Sequence, residues 1–258
     1  MVGAAYIHHP YRPEVFAQLQ PIDEAYRSLE EKAVAREMLG EVRFVHKPVL
    51  HFPNDFFLSP CAYTRDQNNA LTEETPGSTQ RSLFIRYDVH KTLGIMVLHK
   101  HFDMTPEEKL VEFGNVATPW LVPEANGDSV FGGKVVPRSW AYSNGHLYPI
   151  EFGFNPPSVE NFPGITFDQD FVRELYGLLV GMGIGDLVGL TVLRDEIHDA
   201  PYGVEKTIGR VSITLPITPE TEPTQAVESV WTFGCQERMD NSKLWPARIC
   251  WVCQGCKK

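Results

Sequence analysis

Long apolar runs are missing from this chain of 258 residues. No stretch approaches the ~20 consecutive apolar residues of a membrane-spanning helix. Cationic side chains are also scarce: 23 Lys and Arg stand against 33 Asp and Glu, a formal net charge of −10. Nucleic-acid binding draws much of its affinity from cations on phosphates, so this balance argues against a nucleic-acid partner. It equally disfavours a basic membrane-surface protein. Cysteine is sparse outside the C-terminus, with Cys61 alone and the other four from Cys235 onward, which is unlike a secreted disulfide framework. Residues Met1 to Pro10 hold no basic segment followed by an apolar one. No secretory signal is expected, and the expectation is a cytoplasmic protein. Neither a phosphate-binding G-x4-G-K-S/T loop nor a Gly-x-Ser-x-Gly nucleophile elbow is found. Gly181, Gly183 and Gly185 follow a helical pattern instead of joining a strand to a helix, so they fail the dinucleotide fingerprint.

What is present is enough apolar residue, 43% of the chain, for a substantial core. Ile22, Tyr26, Leu29 and Ala33 recur at helical spacing ahead of Gly40, which predicts a helix from Ile22 to Leu39. Strands are expected at 42–46, 49–52, Leu83–Tyr87 and Leu93–Phe102. Thr105-Pro106-Glu107-Glu108 has a capping residue, a proline at the first helical position and a glutamate three residues after the cap. It therefore starts a helical turn, and 109–113 either continues it or forms the next strand. Asn144-Gly145 tolerates positive φ and predicts a tight hairpin between Val135–Ser143 and His146–Phe154. Asp168 caps a second helix with Phe171, Leu175, Leu178 and Met182 on one face. Further strands are expected at Leu190–Arg194, at Ile208–Leu215 and at Val227–Phe233. In the second of these Val211, Ile213 and Leu215 alternate with Arg210, Ser212 and Thr214. The polar stretch 59–81 reads as a surface loop. The fold expected is a single α+β domain over 1–234, strand-rich and antiparallel with two flanking helices, followed by a cysteine-rich segment, 235–258, packed on it.

The sharpest chemistry lies in Leu93–Asp103. Alternate residues of a strand share a face, so Ile95, Val97, His99, His101 and Asp103 would point together. Neighbours two apart on that face lie roughly 6–7 Å apart, close enough to share one metal ion. Either His99 with His101, or His101 with Asp103, would supply nitrogen and oxygen donors suited to Fe(II), Mn(II), Zn(II) or Ni(II). A simpler reading makes the same residues hydrogen-bonded scaffolding.

Gly94, His99-Lys100-His101, Glu107 and Gly114 resemble the first motif of the cupin family, with the two inner gaps one residue off. The resemblance implies His99, His101 and Glu107 as metal ligands and a double-stranded β-helix barrel, with His146 or His198 as candidates for a further histidine. His101-Phe102-Asp103, His198 and Arg210-Val211-Ser212 resemble, in order, the iron/2-oxoglutarate oxygenases. That likeness implies Fe(II) on His101, Asp103 and His198, and 2-oxoglutarate held by Arg210 and Ser212. The same barrel is implied by both. More broadly, LHKHFDM, TPW, SWAYSNGHLYPIEF and EKTIGR resemble predicted proteins of filamentous fungi, which implies a role in specialised metabolism and no mechanism.

Cys235, Cys250, Cys253 and Cys256 are spaced C-x14-C-x2-C-x2-C, in a segment with five basic and two acidic side chains. Thiolates hold structural zinc and iron–sulfur clusters, and a basic surround favours the thiolate. A structural Zn(II) is expected there, with a reduced tail or a regulatory disulfide as the alternatives. Glu151, between Ile150 and Phe152, is a candidate inward-facing carboxylate that would act as ligand or base, an outward position being the alternative. Together these features predict a metal-dependent enzyme, a mononuclear non-haem iron oxygenase acting on a small organic substrate. The alternatives are a metal-free isomerase or cyclase using His99 or His101 as acid and base, and a non-enzymatic, zinc-stabilised interaction protein.

Overall fold

In the computed structural model the described residues are 5–6, 9–32, 82–122, 132–156, 165–193, 203–216, 226–232 and 245–251. The chain begins with β1 (Ala5–Tyr6), α1 (Pro13–Ala17) and α2 (Ile22–Glu31). After a helical turn at 82–86 come β2 (Leu93–Val97), β3 (Glu108–Phe113), β4 (Val116–Leu121), β5 (Lys134–Ser143) and β6 (His146–Asn155). Then follow β7 (Phe167–Asp168), α3 (Gln169–Gly181), β8 (Val188–Val192), β9 (Gly203–Ile208), β10 (Val211–Pro216), β11 (Ala226–Thr232) and β12 (Trp245–Trp251). Among the described residues no helix is long and apolar enough to cross a membrane.

Ten strands form one curled sheet in the order β10-β4-β3-β6-β5-β8-β2-β11-β12-β9, and β9 pairs with β10 so that the ladder returns on itself. The strand-rich α+β class expected from the sequence is observed. The sheet is mixed, however, and not antiparallel throughout, because β3 with β6 and β12 with β9 are parallel pairs. Parallel neighbours need long crossovers, and no alternation within a strand signals them.

Local signals located several elements. Asn144 and Gly145 take φ of 50° and 80°, the left-handed pair of a type I′ turn, and β5 and β6 pair from Ser143↔His146 to Lys134↔Asn155. Asp168 accepts hydrogen bonds from the backbone N–H of Asp170 at 2.7 Å and Phe171 at 3.2 Å, capping α3. Phe171, Val172, Leu175 and Leu179 form its buried face. Thr105 N–H donates to Glu108 Oε2 at 2.9 Å, the glutamate half of a capping box, while Glu108 N–H donates to the Thr105 backbone carbonyl at 3.1 Å, and the chain then enters β3 instead of a helix.

Other expectations are corrected. Residues 82–86 are helical, not extended: Leu83 and Phe84 are buried while Ile85 is exposed, and the Tyr87 N–H bonds to Leu83 O. The described part of α2 ends at Glu31 with Lys32 as its cap. Strand β2 stops at Val97, so His99 and His101 lie beyond it. Ile208–Leu215 is not one strand but the end of β9, a turn at Gly209 (φ 60°) and most of β10. On β10 the polar Ser212 and Thr214 are buried while Val211, Ile213 and Leu215 are only partly so. Strand β12 lies between β11 and β9, so residues 245–251 belong to the sheet and are not an appended tail. The expectations at 42–46, 49–52 and 59–81, with Cys61, lie outside the described residues.

The segment after β2 is clamped from the N-terminal side. Lys100 N–H bonds to Gln20 O at 2.9 Å, and Pro21 bridges to Lys100. Val15, Phe16 and Leu19 share a cluster with Leu98, against which Phe102 and Met104 pack. These contacts hold the chain on either side of the two histidines, whose peptide groups have left the β ladder.

Candidate metal centre

Strand β9 supplies alternate residues Gly203, Glu205 and Thr207 to one face. Its parallel partner β12 sets Cys250 in register with Glu205. Its antiparallel partner β10 sets Thr214 opposite Glu205 and Ser212 opposite Thr207. His99 and His101 arrive from the segment clamped after β2. One donor atom from each of His99, His101, Glu205 and Cys250 can be chosen so that all lie within 4.8 Å of one another. His99 and Cys250 are 2% and 1% exposed, and the side chains of His101 and Glu205 are 6% exposed.

The hydrogen bonds show how these donors are aimed. His99 Nδ1 is 2.8 Å from Val97 O; a carbonyl only accepts, so Nδ1 carries the proton and Nε2 presents its lone pair in the neutral ring. His99 Nε2 is 3.1 Å from His101 Nε2, which is itself 3.1 Å from Glu205 Oε1. Cys250 Sγ lies 3.5 Å from His99 Nε2 and 3.4 Å from Glu205 Oε2. Behind the donors, Thr207 Oγ1 holds His101 Nδ1 at 3.0 Å and Ser212 Oγ donates to Glu205 Oε1 at 2.7 Å. Two imidazole nitrogens and a carboxylate oxygen thus converge where few protons can lie between them. A cation placed between them would meet all of them at once.

Size agrees with that chemistry. With metal–nitrogen and metal–oxygen bonds of about 2.0–2.1 Å and metal–sulfur bonds of about 2.3 Å, tetrahedral neighbours are about 3.3–3.6 Å apart. Four of the donor contacts, 3.1 to 3.5 Å, lie near that range, while one atom chosen from each of the four residues brings them all within 4.8 Å of one another, so an ion would draw the donors inward. The carbonyl, threonine and serine behind these donors stand where metal sites carry the groups that fix tautomer and orientation.

Of the residues singled out from sequence, His99, His101 and Cys250 are brought together. The oxygen donor beside them is Glu205, in place of the expected Glu107 or Asp103. Glu107 is exposed in a turn, and Asp103 is exposed and pairs with Lys100 Nζ at 2.7 Å. The turn after β2 sends those carboxylates away from the histidines, which a straight strand would not. Arg210 is half exposed and engages Glu108 and the Asp103 carbonyl, so it is not beside the cluster. Its hydrogen bond holds the Glu108 carboxyl below its ordinary range, against a smaller upward effect of burial. Ser212 does reach the site, as the donor to Glu205 rather than as a co-substrate ligand. His146 packs against His9, the rings tilted by 59° with centroids 4.4 Å apart. His198, Cys235, Cys253 and Cys256 lie outside the described residues.

Glu205 and Thr207 were missed. They stand in the EKTIGR stretch, where Lys206 between them makes the run polar throughout, so no alternation marks either face as inward. A small pocket beside Glu205 is lined from β3, β4, β5, β6, β8 and β9. Glu151 lies in its wall, and its Oε2 accepts from Ser139 Oγ at 2.6 Å, while Ser139 Oγ is 3.0 Å from Thr191 Oγ1. Arg138 and Glu112 pair at 3.1 Å in the same wall. Comparison with protein-family models, curated proteins and solved structures returns no match.

Proposed function

We propose that the protein is a metal-dependent enzyme with one divalent ion held by His99, His101, Glu205 and Cys250. The observation that carries this reading is the convergence of four donor atoms from three distant segments, with Val97, Thr207 and Ser212 orienting three of them. His99, His101 and Glu205 make the two-histidine, one-carboxylate set that suits Fe(II) in non-haem oxygenases. The expected mononuclear iron oxygenase, acting on a small organic substrate, is therefore the form of the proposal that we favour. It keeps the cupin-like idea of a metal within a curled sheet, with Glu205 in the place assigned to Glu107. The ion would supply Lewis acidity or redox chemistry. The chain's own residues fix its ligands and exclude bulk water from them. Among the described residues, Arg210, the expected holder of 2-oxoglutarate, is engaged with Glu108.

The near-complete burial of all four donors, one of them a thiol, favours a second reading: a closed structural Zn(II) site in a binding protein. Elemental analysis after anaerobic loading with ferrous iron or zinc tests the site itself. Wild type is expected to retain about one ion per chain through desalting. His99→Ala/His101→Ala and Glu205→Ala are expected to lose it, while Asp103→Asn and Glu107→Gln retain it. Retention of the metal by the double histidine variant would end the proposal.

A further inference from the structure

The four donor side chains are buried, so an ion reaches them only if one of the segments that carry them moves aside. Two of those segments are held by apolar contacts. The histidine segment is clamped through Leu98 by Val15, Phe16 and Leu19. Strand β12 sits beside β11, with Cys250, Val227 and Trp231 in the main apolar cluster. The third, the β9–β10 hairpin that carries Glu205, is held differently. Val204 is buried and Ile208 is 58% exposed, and among the described residues no side chain of 203–216 joins an apolar cluster. The hairpin is nevertheless a unit, paired with itself from Val211↔Ile208 to Pro216↔Gly203. Its ladders to the rest of the sheet are short: Arg248↔Gly203 to Cys250↔Glu205 on β12, and Ser212↔Ala117 with Ile213↔Val116 on β4. Beside the latter, Thr214 N–H bonds to Asn115 O at 2.8 Å.

What joins the hairpin to the histidine segment is polar. Thr207 Oγ1 and Glu205 Oε1 meet the two ring nitrogens of His101 at 3.0 and 3.1 Å. At the tip, beyond the Gly209 turn, Arg210 donates to Glu108 Oε1 at 3.1 Å and to Asp103 O at 3.3 Å. Water can replace such bonds when they part, whereas parting either apolar clamp exposes hydrocarbon. Resting on the metal reading above, we propose that the β9–β10 hairpin is a flap over the metal site: it opens to admit the ion, and the bound ion then clasps it shut through Glu205. Glu205 is the donor that travels, while His99, His101 and Cys250 wait in the anchored part of the molecule. Arg210 is the latch at the moving end, a positioning residue set apart from the donors. Because it secures the closed flap with or without the ion, removing it speeds entry and release alike and leaves the affinity as it was.

Zinc alone is the probe, and hydrogen exchange read by mass spectrometry follows the hairpin. In the metal-free protein the amides of 203–216 should exchange ahead of those of β5 and β6. With free zinc at about 100 times Kd they should slow by about 100-fold, since the open form gives up the ion. Transfer of zinc to and from a chromophoric chelator gives the rates. Arg210→Met and Glu108→Gln should each raise both rates about two- to fivefold, the most that an exposed pair supplies, with Kd unchanged. Arg86→Met, which breaks an exposed pair with Glu174 on α3, should change neither rate. Failure of wild type to hold zinc would overturn the metal reading itself. Zinc held while 203–216 exchanges in step with β5 and β6 would overturn the flap alone, as would wild-type rates in both latch variants. Weaker binding without faster entry would overturn the latch and make the Arg210 pair a structural brace.

Discussion

Ser212→Ala tests whether Glu205 is held as an ionised donor. The serine is 1% exposed and its hydroxyl donates at 2.7 Å to a carboxylate that is 5% exposed. A hydrogen bond to a charged group is worth roughly 1.5–3 kcal/mol, and alanine leaves the acceptor buried with that donor removed. His101 Nε2, 3.1 Å from the same oxygen, and Cys250 Sγ, a weak donor 3.4 Å from the other, remain and offset part of the loss. The metal-free protein should therefore lose about 2 kcal/mol, or about 4–8 °C in Tm at the 2–4 °C per kcal/mol usual for chains near this size. Metal affinity, measured by competition with a chromophoric chelator, should fall about 10–100-fold, since the carboxylate's orientation is no longer set. Both readings are needed. If the melting temperature drops but affinity stays within twofold, Ser212 is ordinary scaffolding and the supporting-shell argument fails. If neither moves, Glu205 is not an ionised, hydrogen-bonded donor.

Two further substitutions probe the frame around the site. In Gly189→Ala the new Cβ would stand 2.3 Å from Trp140 O and 2.5 Å from Leu98 Cδ2. Since Trp140 is fixed in the β5–β8 ladder, the strands must part, and chemical denaturation should show a loss of about 1–3 kcal/mol; a neutral result would refute the close approach. Arg210→Met removes the hydrogen bond that depresses the Glu108 carboxyl. A carboxyl with a lowered folded pKa adds stability above its unfolded value, about 4.3, and loses that contribution as pH falls through the folded value. The variant should thus be less stable than wild type at pH 7, by about 1 kcal/mol or less for so exposed a pair. The gap should close in acid, and one that widened there would contradict the sign.

What could be read from sequence was local. The Asn144-Gly145 turn, the Asp168 cap and the Thr105–Glu108 turn each depend on a few adjacent residues whose φ preferences and short polar side chains act before any tertiary contact forms. His99 and His101 were legible for the same reason, since two imidazoles two residues apart can meet one ion in several backbone conformations. Their partners were not. Glu205 is more than a hundred residues from the histidines and looks like part of an exposed hairpin, because an unbroken polar run cannot say which face turns inward. Only the curl of the sheet, closed by the parallel β12–β9 ladder, buries that polar face and sets Cys250 beside Glu205. The chain's own order determined the turns, the caps and the candidate histidines. Tertiary structure alone decided which carboxylate and which thiol stand with them, because long-range strand pairing, unlike a turn, is not written in neighbouring residues.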